Sequence, residues 1–302
     1  MRLVEQFAPG SRLLRHWALP GGMSAQTDAL LVVDAGGVPR RWVVRRGGGG
    51  ADALRHEFRV LQLTHAQGLA TPQPYFLDTS GEIFAAPYLV MAYIEGAPTF
   101  ARADGLAYAR QAAAHLVQLH RCTIDPAALP FLPQAAPLHP VHTAGPPEPT
   151  LQVAHLWATL APLWPLVPKH APRLLHGDFW PGNHLWHAGR LVAVVDWEDA
   201  QVGDPLCDLA ISRLDICCIF GAAAMACFTD AYQAALGLDD SHLPAWDLWA
   251  ALRLVRMAAG DFAGWAAFYP PVGRADITAA SLHAQYQAFV GAALARLEST
   301  HL

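Results

Sequence analysis

The chain has 302 residues, 53% hydrophobic and 15% charged, with a formal net charge of −5 from 20 Lys+Arg against 25 Asp+Glu. That length admits one large or two modest domains, the apolar content is ample for a core, and the acidic balance argues against nucleic acid as a main partner. Five cysteines, odd in number and without CxxC spacing, read as reduced, buried thiols of a cytoplasmic protein rather than disulfides or metal ligands.

The opening MRLVEQFAPGSRLLRHW has no apolar signal core. RLLRHWALPGG and TDALLVVDAGG read as strands with Gly-rich turns, and VPRRWVVRR as a third strand. In ADALRHEFRVLQLTHAQG the spacing of Leu54, Phe58, Leu61 and Leu63 predicts a helix that Gly68 stops. Pro72 and Pro74 lead into two further short strands, YFLD and PYLVMAYIEG. This order predicts a compact α+β lobe over 1–95. From Asp104, a candidate N-cap, the chain turns helical. Eight prolines between 126 and 150 forbid regular structure and predict an excursion or lid. The uncharged candidate span 149–168 is broken by Gln152, His155, Pro162 and Pro165, so no membrane helix is expected there. RLVAVVDW is a buried type of strand, and the last hundred residues alternate helical patterns with breaks at Gly221, Gly237, Pro270 and Pro271.

Four separated pieces carry chemistry. LPGGMSAQT (Leu19–Thr27) is a Gly-rich turn, with Gly21, Gly22 and Ser24, whose backbone N–H groups can approach a polyphosphate. Alone it is as well explained by an ordinary hairpin; no GxxxxGK[ST] is present. Arg45 on the third strand, with Glu57 on the helix, can hold phosphate oxygens; Arg46 is the alternative if the strand register is shifted by one. LLHGDFWPGNHLW contains His176, Asp178 and Asn183 in the spacing H-x-D-x-x-x-x-N, in which an aspartate can reach an attacking hydroxyl and an asparagine a metal ion. Asp196 ends an apolar strand thirteen residues after Asn183, a hard oxygen ligand suited to Mg²⁺ bridging phosphates.

Taken with VAVVDWEDAQVGDPLCDLA, WVVRR and LVMAYIEG, these motifs resemble the aminoglycoside phosphotransferase and choline kinase group, which shares the protein-kinase fold. The resemblance runs from about residue 15 to 215. It implies a bilobal α+β fold: a small N-terminal antiparallel sheet with one helix over 1–95, and a larger, mainly helical lobe over 96–302. The first lobe would bind nucleotide, the second would carry catalysis and the acceptor, and the Pro-rich insertion would lie at about 126–150. It further implies Asp178 as the residue serving the acceptor hydroxyl, Asn183 and Asp196 as Mg²⁺ ligands, and Arg45 braced by Glu57 on the phosphates of ATP or GTP. Met91, Ala92, Tyr93 and Ile94 would form the hinge at the base. His176, Asp204 and Asp208 would support the loop. Two positions depart from the family pattern: Arg45 replaces the usual lysine, and Ala25 stands where many relatives have asparagine.

A protein acceptor is disfavoured, because Trp197-Glu198 follows Asp196 and Gly177 precedes Asp178. A small hydroxylated molecule fits better: an aminoglycoside, an amino alcohol or a sugar. Trp246, Trp249, Asp261, Trp265 and Tyr269 are candidates to receive it, against the reading that they form a helix core with solvated acids. The competing functional class is a non-catalytic nucleotide-binding scaffold. The kinase reading requires residues 178, 183 and 196 to converge on one cavity.

Overall fold

The computed structural model describes residues 2–19, 25–47, 49–122, 129–135, 138 and 147–300. In chain order its first elements are α1 (Arg2–Phe7), β1 (Arg12–Ala18), β2 (Ala25–Val33), β3 (Pro39–Gly47), α2 (Gly50–Ala66), β4 (Pro74–Asp78) and β5 (Tyr88–Ala92). Then come α3 (Gly105–His120), α4 (Val153–Leu163), β6 (Arg173–Leu175), β7 (His184–His187), β8 (Arg190–Val194) and β9 (Gln201–Gly203). The chain ends in α5 (Leu206–Phe220), α6 (Ala222–Leu236), α7 (Leu243–Met257), α8 (Ala263–Ala266) and α9 (Ala279–Thr300). Two compact units result: one takes the chain up to Ala97 together with Leu185–Ala200, the other Pro98–His184 and the chain from Gln201 onward.

The first unit is an antiparallel sheet in the order β1-β2-β3-β5-β4. On one face Leu30, Val32, Val44, Tyr88 and Val90 bury against Val4 of α1, a helix the sequence pattern does not announce. Strand alternation turns Val43 and Arg45 to the opposite face, where α2 packs on β4 and β5. The buried stripe of α2 is Leu54, Glu57, Val60, Leu61 and Thr64. Phe58 and Leu63, which apolar spacing placed on that stripe, are only half-buried. The helix ends at Ala66, with Gly68 left-handed at φ 73 and donating to the His65 carbonyl.

The segment 185–200 is held to this unit by backbone pairing rather than by sequence proximity. Ala97 and Trp186 exchange hydrogen bonds of 2.9 and 3.1 Å, and Val194 N–H donates to the Ala70 carbonyl at 2.8 Å. β7 and β8 form a hairpin through Ala188 (φ 48) and Gly189 (φ 74). Two left-handed residues are what a tight turn matching strand twist requires.

In the second unit every residue of α5 is buried, with α6, α7 and α9 against it, α3 on α6 and α4 on α7. A helix apolar on all sides belongs at the centre of a bundle. Its buried charges need partners, and Arg213 finds one in Asp247, with two hydrogen bonds of 2.9 Å. Gly221 (φ 93) and Gly237 (φ 60) separate the helices as expected. Asp104 occupies the N-cap position of α3, but its side chain makes no capping hydrogen bond. Much of the Pro-rich stretch (126–128, 136–137, 139–146) lies outside the described residues; in the remainder Leu129 and Leu132 are buried and Gln134 bridges Val202. Among the described residues all five cysteines are free, and no helix is long and apolar enough to cross a membrane.

Candidate active site

In the first unit Arg45, 5% exposed, lies at the centre of a charge cluster. Its Nη1 bonds the Glu57 carboxylate, while Nη2 donates to Asp196 Oδ1 at 2.8 Å and to Glu198 Oε2 at 2.6 Å. The β-strand sets which arginine does this. Arg46 faces the other way, pairs with Asp28 across the strand pair and lies over the Phe84 ring, so it is Arg45 that Glu57 pairs with. Burial works against the Arg45 charge, but Glu57, Asp196 and Glu198 outweigh it and hold the guanidinium firmly protonated. Burial pushes Glu57 up to about 7, and the charges of Asp196 and Glu198 add to that against the pull of Arg45. Asp196 is left-handed at φ 66, a conformation that costs a non-glycine about 1 kcal/mol. The following residues hold it there: Trp197 is buried, with its Nε1–H on the Val194 carbonyl, and the Ala200 carbonyl meets His56 Nε2 at 3.1 Å.

In the second unit the loop between β6 and β7 is tied down at several of its peptides. Asp208, fully buried on α5, accepts from His176 N–H at 2.7 Å and Gly177 N–H at 2.9 Å, and lies 3.3 Å from His120 Nε2. Burial opposes its charge, yet the hydrogen bond and charge of His120, with His176, keep its carboxyl below the ordinary range. His176 Nδ1 meets the Asp178 N–H at 3.2 Å. Gly177 is left-handed at φ 81, and a Cβ at Gly182 would fall 2.1 Å from the Trp180 ring. Glycine at 182 therefore lets the turn close, with Asn183 N–H on the Trp180 carbonyl at 3.0 Å. Asn183 Nδ2 then donates to the Asp178 carbonyl (3.0 Å) and to Asp178 Oδ2 (3.2 Å). Asp204 accepts from His170 N–H and from Leu206 N–H, the first amide of α5.

Two participants were not anticipated. Glu198 shares Arg45, and Arg253 of α7 donates through Nη2 to the Gly177 carbonyl at 2.9 Å and to Asp178 Oδ1 at 3.1 Å. A charged residue inside the apolar run WAALRLVRM was the available signal for Arg253.

Among the hinge candidates, Met91, Ala92, Tyr93 and Ile94 are half-buried at and just beyond the end of β5. The Ala92 and Tyr93 N–H groups already donate to the Gln73 and Arg41 carbonyls. Gly21, Gly22 and Ser24 lie outside the described residues. The aromatic acceptor candidates fall mostly into packing. Trp246 and Trp249, 3% and 7% exposed, lie against Trp164, where α4 packs on α7. Lys169 Nζ lies 3.8 Å and 4.4 Å from the ring centres of Trp164 and Trp246. Tyr269 is fully buried against Phe100, Trp265 and Phe268, while Trp265 itself is half-buried. Asp261 is exposed and accepts from Ala263 N–H.

Among the described residues no three His, Cys, Asp or Glu side chains form a metal cage. Mg²⁺ is commonly held by one or two protein oxygens and substrate phosphates, so a cage is not its usual requirement. The donors present suit it: Asn183 is anchored through its amide nitrogen, which leaves a carbonyl oxygen for a hard cation, and the cluster at Asp196 is rich in carboxylate oxygens.

The profile of the phosphotransferase enzyme family matches residues 18–255. Mouse acyl-CoA dehydrogenase family member 10 is 27% identical over 183 residues, which is 54% of this chain and 17% of that protein; the chain thus spans under a fifth of that relative. A thermostable mutant of aminoglycoside phosphotransferase APH(4)-Ia, solved with ADP and hygromycin B, superposes with a TM-score of 0.63 at 18% identity, covering 96% of both chains. Macrolide 2'-phosphotransferase MphH from Brachybacterium faecium gives 0.60 at 19% identity, over 98% of this chain and 95% of that one. A choline/ethanolamine kinase family protein from Mesorhizobium loti gives 0.61 at 16%, over 94% and 88%. At these identities the structures establish the bilobal α+β fold.

Proposed function

Because the chain belongs to the phosphotransferase enzyme family, we propose that it moves the terminal phosphoryl group of ATP to a hydroxyl of a small molecule, an aminoglycoside, an amino alcohol or a sugar-like alcohol. The observation that carries this reading is the anchoring of Asp178. Its two carboxylate oxygens are each held by a different donor, Oδ1 by Arg253 and Oδ2 by Asn183, in a loop whose preceding amides are fixed by Asp208. Phosphoryl transfer needs little covalent help from the protein and much positioning, so a preset carboxylate is the appropriate device. Asp178 takes the hydrogen bond of the acceptor hydroxyl and receives its proton as the oxygen–phosphorus bond forms and the bond to the ADP oxygen breaks.

The remaining residues serve the nucleotide. Asn183 through its side-chain carbonyl, and Asp196 through its carboxylate, would hold Mg²⁺. When bound, that ion supplies charge neutralisation for the phosphates. Arg45 faces the phosphates, Glu57 keeps it in place, and residues 91–94 meet the base. Since the Ala92 and Tyr93 amides are already committed, recognition of the base there falls to Ile94 N–H and to carbonyl oxygens. The ADP of the APH(4)-Ia complex supports an adenine nucleotide as donor. A location in the cytoplasm, where ATP is available, fits the same reading.

The test is ATP consumption across a panel of hydroxylated amines and sugars, with Asp178→Ala as the blank. Turnover with at least one acceptor is expected in the wild type. In Asp178→Ala the rate should fall by a factor on the order of 10² to 10⁴ while ATP·Mg²⁺ binding, read by calorimetry, persists. Undiminished turnover in the variant would remove Asp178 from its role. A wild type inactive on the whole panel would overturn the reading.

A further inference from the structure

Arg253 is a nearly buried cation, its side chain 13% exposed, on a helix that otherwise contributes apolar packing and the Asp247 ion pair. Burial works against its charge, and Asp178 and Asp215 more than compensate. Asp215 is itself buried on α5. Arg253 bonds Asp178 and also the peptide carbonyl immediately before that acid.

We propose that Arg253 is a positioning residue for phosphoryl transfer: from α7 it clamps the Gly177 carbonyl and Asp178 Oδ1 together, so that the carboxylate meets the acceptor hydroxyl in one orientation. The inference rests on the role of Asp178 given above. Its physical basis is triangulation. Gly177 is the most permissive residue of the loop, left-handed at φ 81, and nothing in its own side chain can limit rotation of the peptide that carries Asp178. Asp208 fixes the amide side of that loop through the N–H groups of residues 176 and 177. Arg253 fixes the carbonyl side, and the same nitrogen reaches Oδ1, locking main chain and side chain to one point. Asn183 Nδ2, on Oδ2 at 3.2 Å, sets the remaining rotation of the carboxylate.

A lysine cannot reproduce this arrangement. Its ammonium is a compact charge on a flexible stem, whereas the planar guanidinium sets the direction of both donated bonds. A displacement of about 1 Å at a reacting group costs as much as roughly 10²-fold in rate. The expected result is a fall in kcat of roughly 10-fold for Arg253→Lys and roughly 10²-fold for Arg253→Ala. KM for acceptor and for ATP should stay within about threefold, because neither is bound by Arg253.

Steady-state kinetics of purified full-length wild type, Arg253→Lys and Arg253→Ala decide the matter, with rates expressed per folded molecule from near-UV circular dichroism. Low-millimolar guanidinium should restore part of kcat in Arg253→Ala, and sodium chloride at the same ionic strength should not. An arginine that only stabilises the fold would lower the melting temperature and leave kcat per folded molecule and the guanidinium response unchanged; that result overturns the proposal. If Arg253→Ala does not fold, Arg253→Lys decides by kcat alone. An active wild type with unaffected variants refutes the role of Arg253 only, whereas a wild type inactive on every acceptor refutes the function and the inference together.

Discussion

Around Arg45 one guanidinium faces the carboxylates of Glu57, Asp196 and Glu198, whereas around Asp208 one carboxylate receives two backbone N–H groups and a histidine. The first centre is partly open, with the Asp196 and Glu198 side chains 33% and 29% exposed. The second is completely buried and satisfied. The difference matches the proposed tasks. A partly open, carboxylate-rich cluster can exchange partners when the proposed cation and phosphates bind, while a closed network cannot rearrange and so preserves geometry.

Removing the acid from the closed network should have the largest effect. In Asp208→Ala, two loop amides and His120 lose their acceptor inside the core, and a loss of about 3–5 kcal/mol in urea unfolding is expected. A change under about 1 kcal/mol would show that the loop is held by other contacts.

Asp215 gives the next largest effect, and one with a sign. Burial, aided by the charge of Asp178, pushes its carboxyl up to about 8 from an ordinary value of 3.8. Between those values the folded chain keeps a proton that the unfolded chain has released, so this group lowers stability as pH rises across the window. Glu57, pushed to about 7 from 4.5, acts with the same sign over a narrower range. Asp215→Asn should therefore be more stable than wild type at pH 8, with the advantage shrinking toward pH 4. Equal stability at both pH values would contradict the assignment.

The smallest change concerns the open cluster. Arg45→Lys keeps a charge among the three acids but loses the fork that spans them, and about 1 kcal/mol of stability should be lost, read as a shift in urea midpoint without a change in slope. If this substitution costs as much as Asp208→Ala, the contrast between the two centres fails.

The alternation of TDALLVVDAGG and VPRRWVVRR, bounded by glycines, specifies half-buried strands, and both form. The loop around Asp178 was legible for a similar reason, since Pro181 and Gly182 restrict the backbone locally. Glu57 was legible as a partner for Arg45 only through family resemblance. Apolar periodicity passed over it in favour of Phe58, because periodicity cannot know that a charge on the buried stripe is neutralised from a strand twelve residues earlier. Trp246 and Trp249 suggested a binding surface by composition, but the packing of α4 on α7 put them inside. Arg253 and Glu198 carry no spacing signal that links them to Asp178 or Arg45.

Local chemistry, then, was enough to set the strands β2 and β3, the helix α2 and the turn that brings Asn183 back to Asp178, since those depend on backbone preferences of neighbouring residues. Which charges neutralise one another was decided only when distant segments met: 185–200 crossing back to the sheet through Ala97 and Ala70, and α7 bringing Arg253 to the loop. The cost of burying a charge depends on what surrounds it in space, and the linear chain does not contain that information.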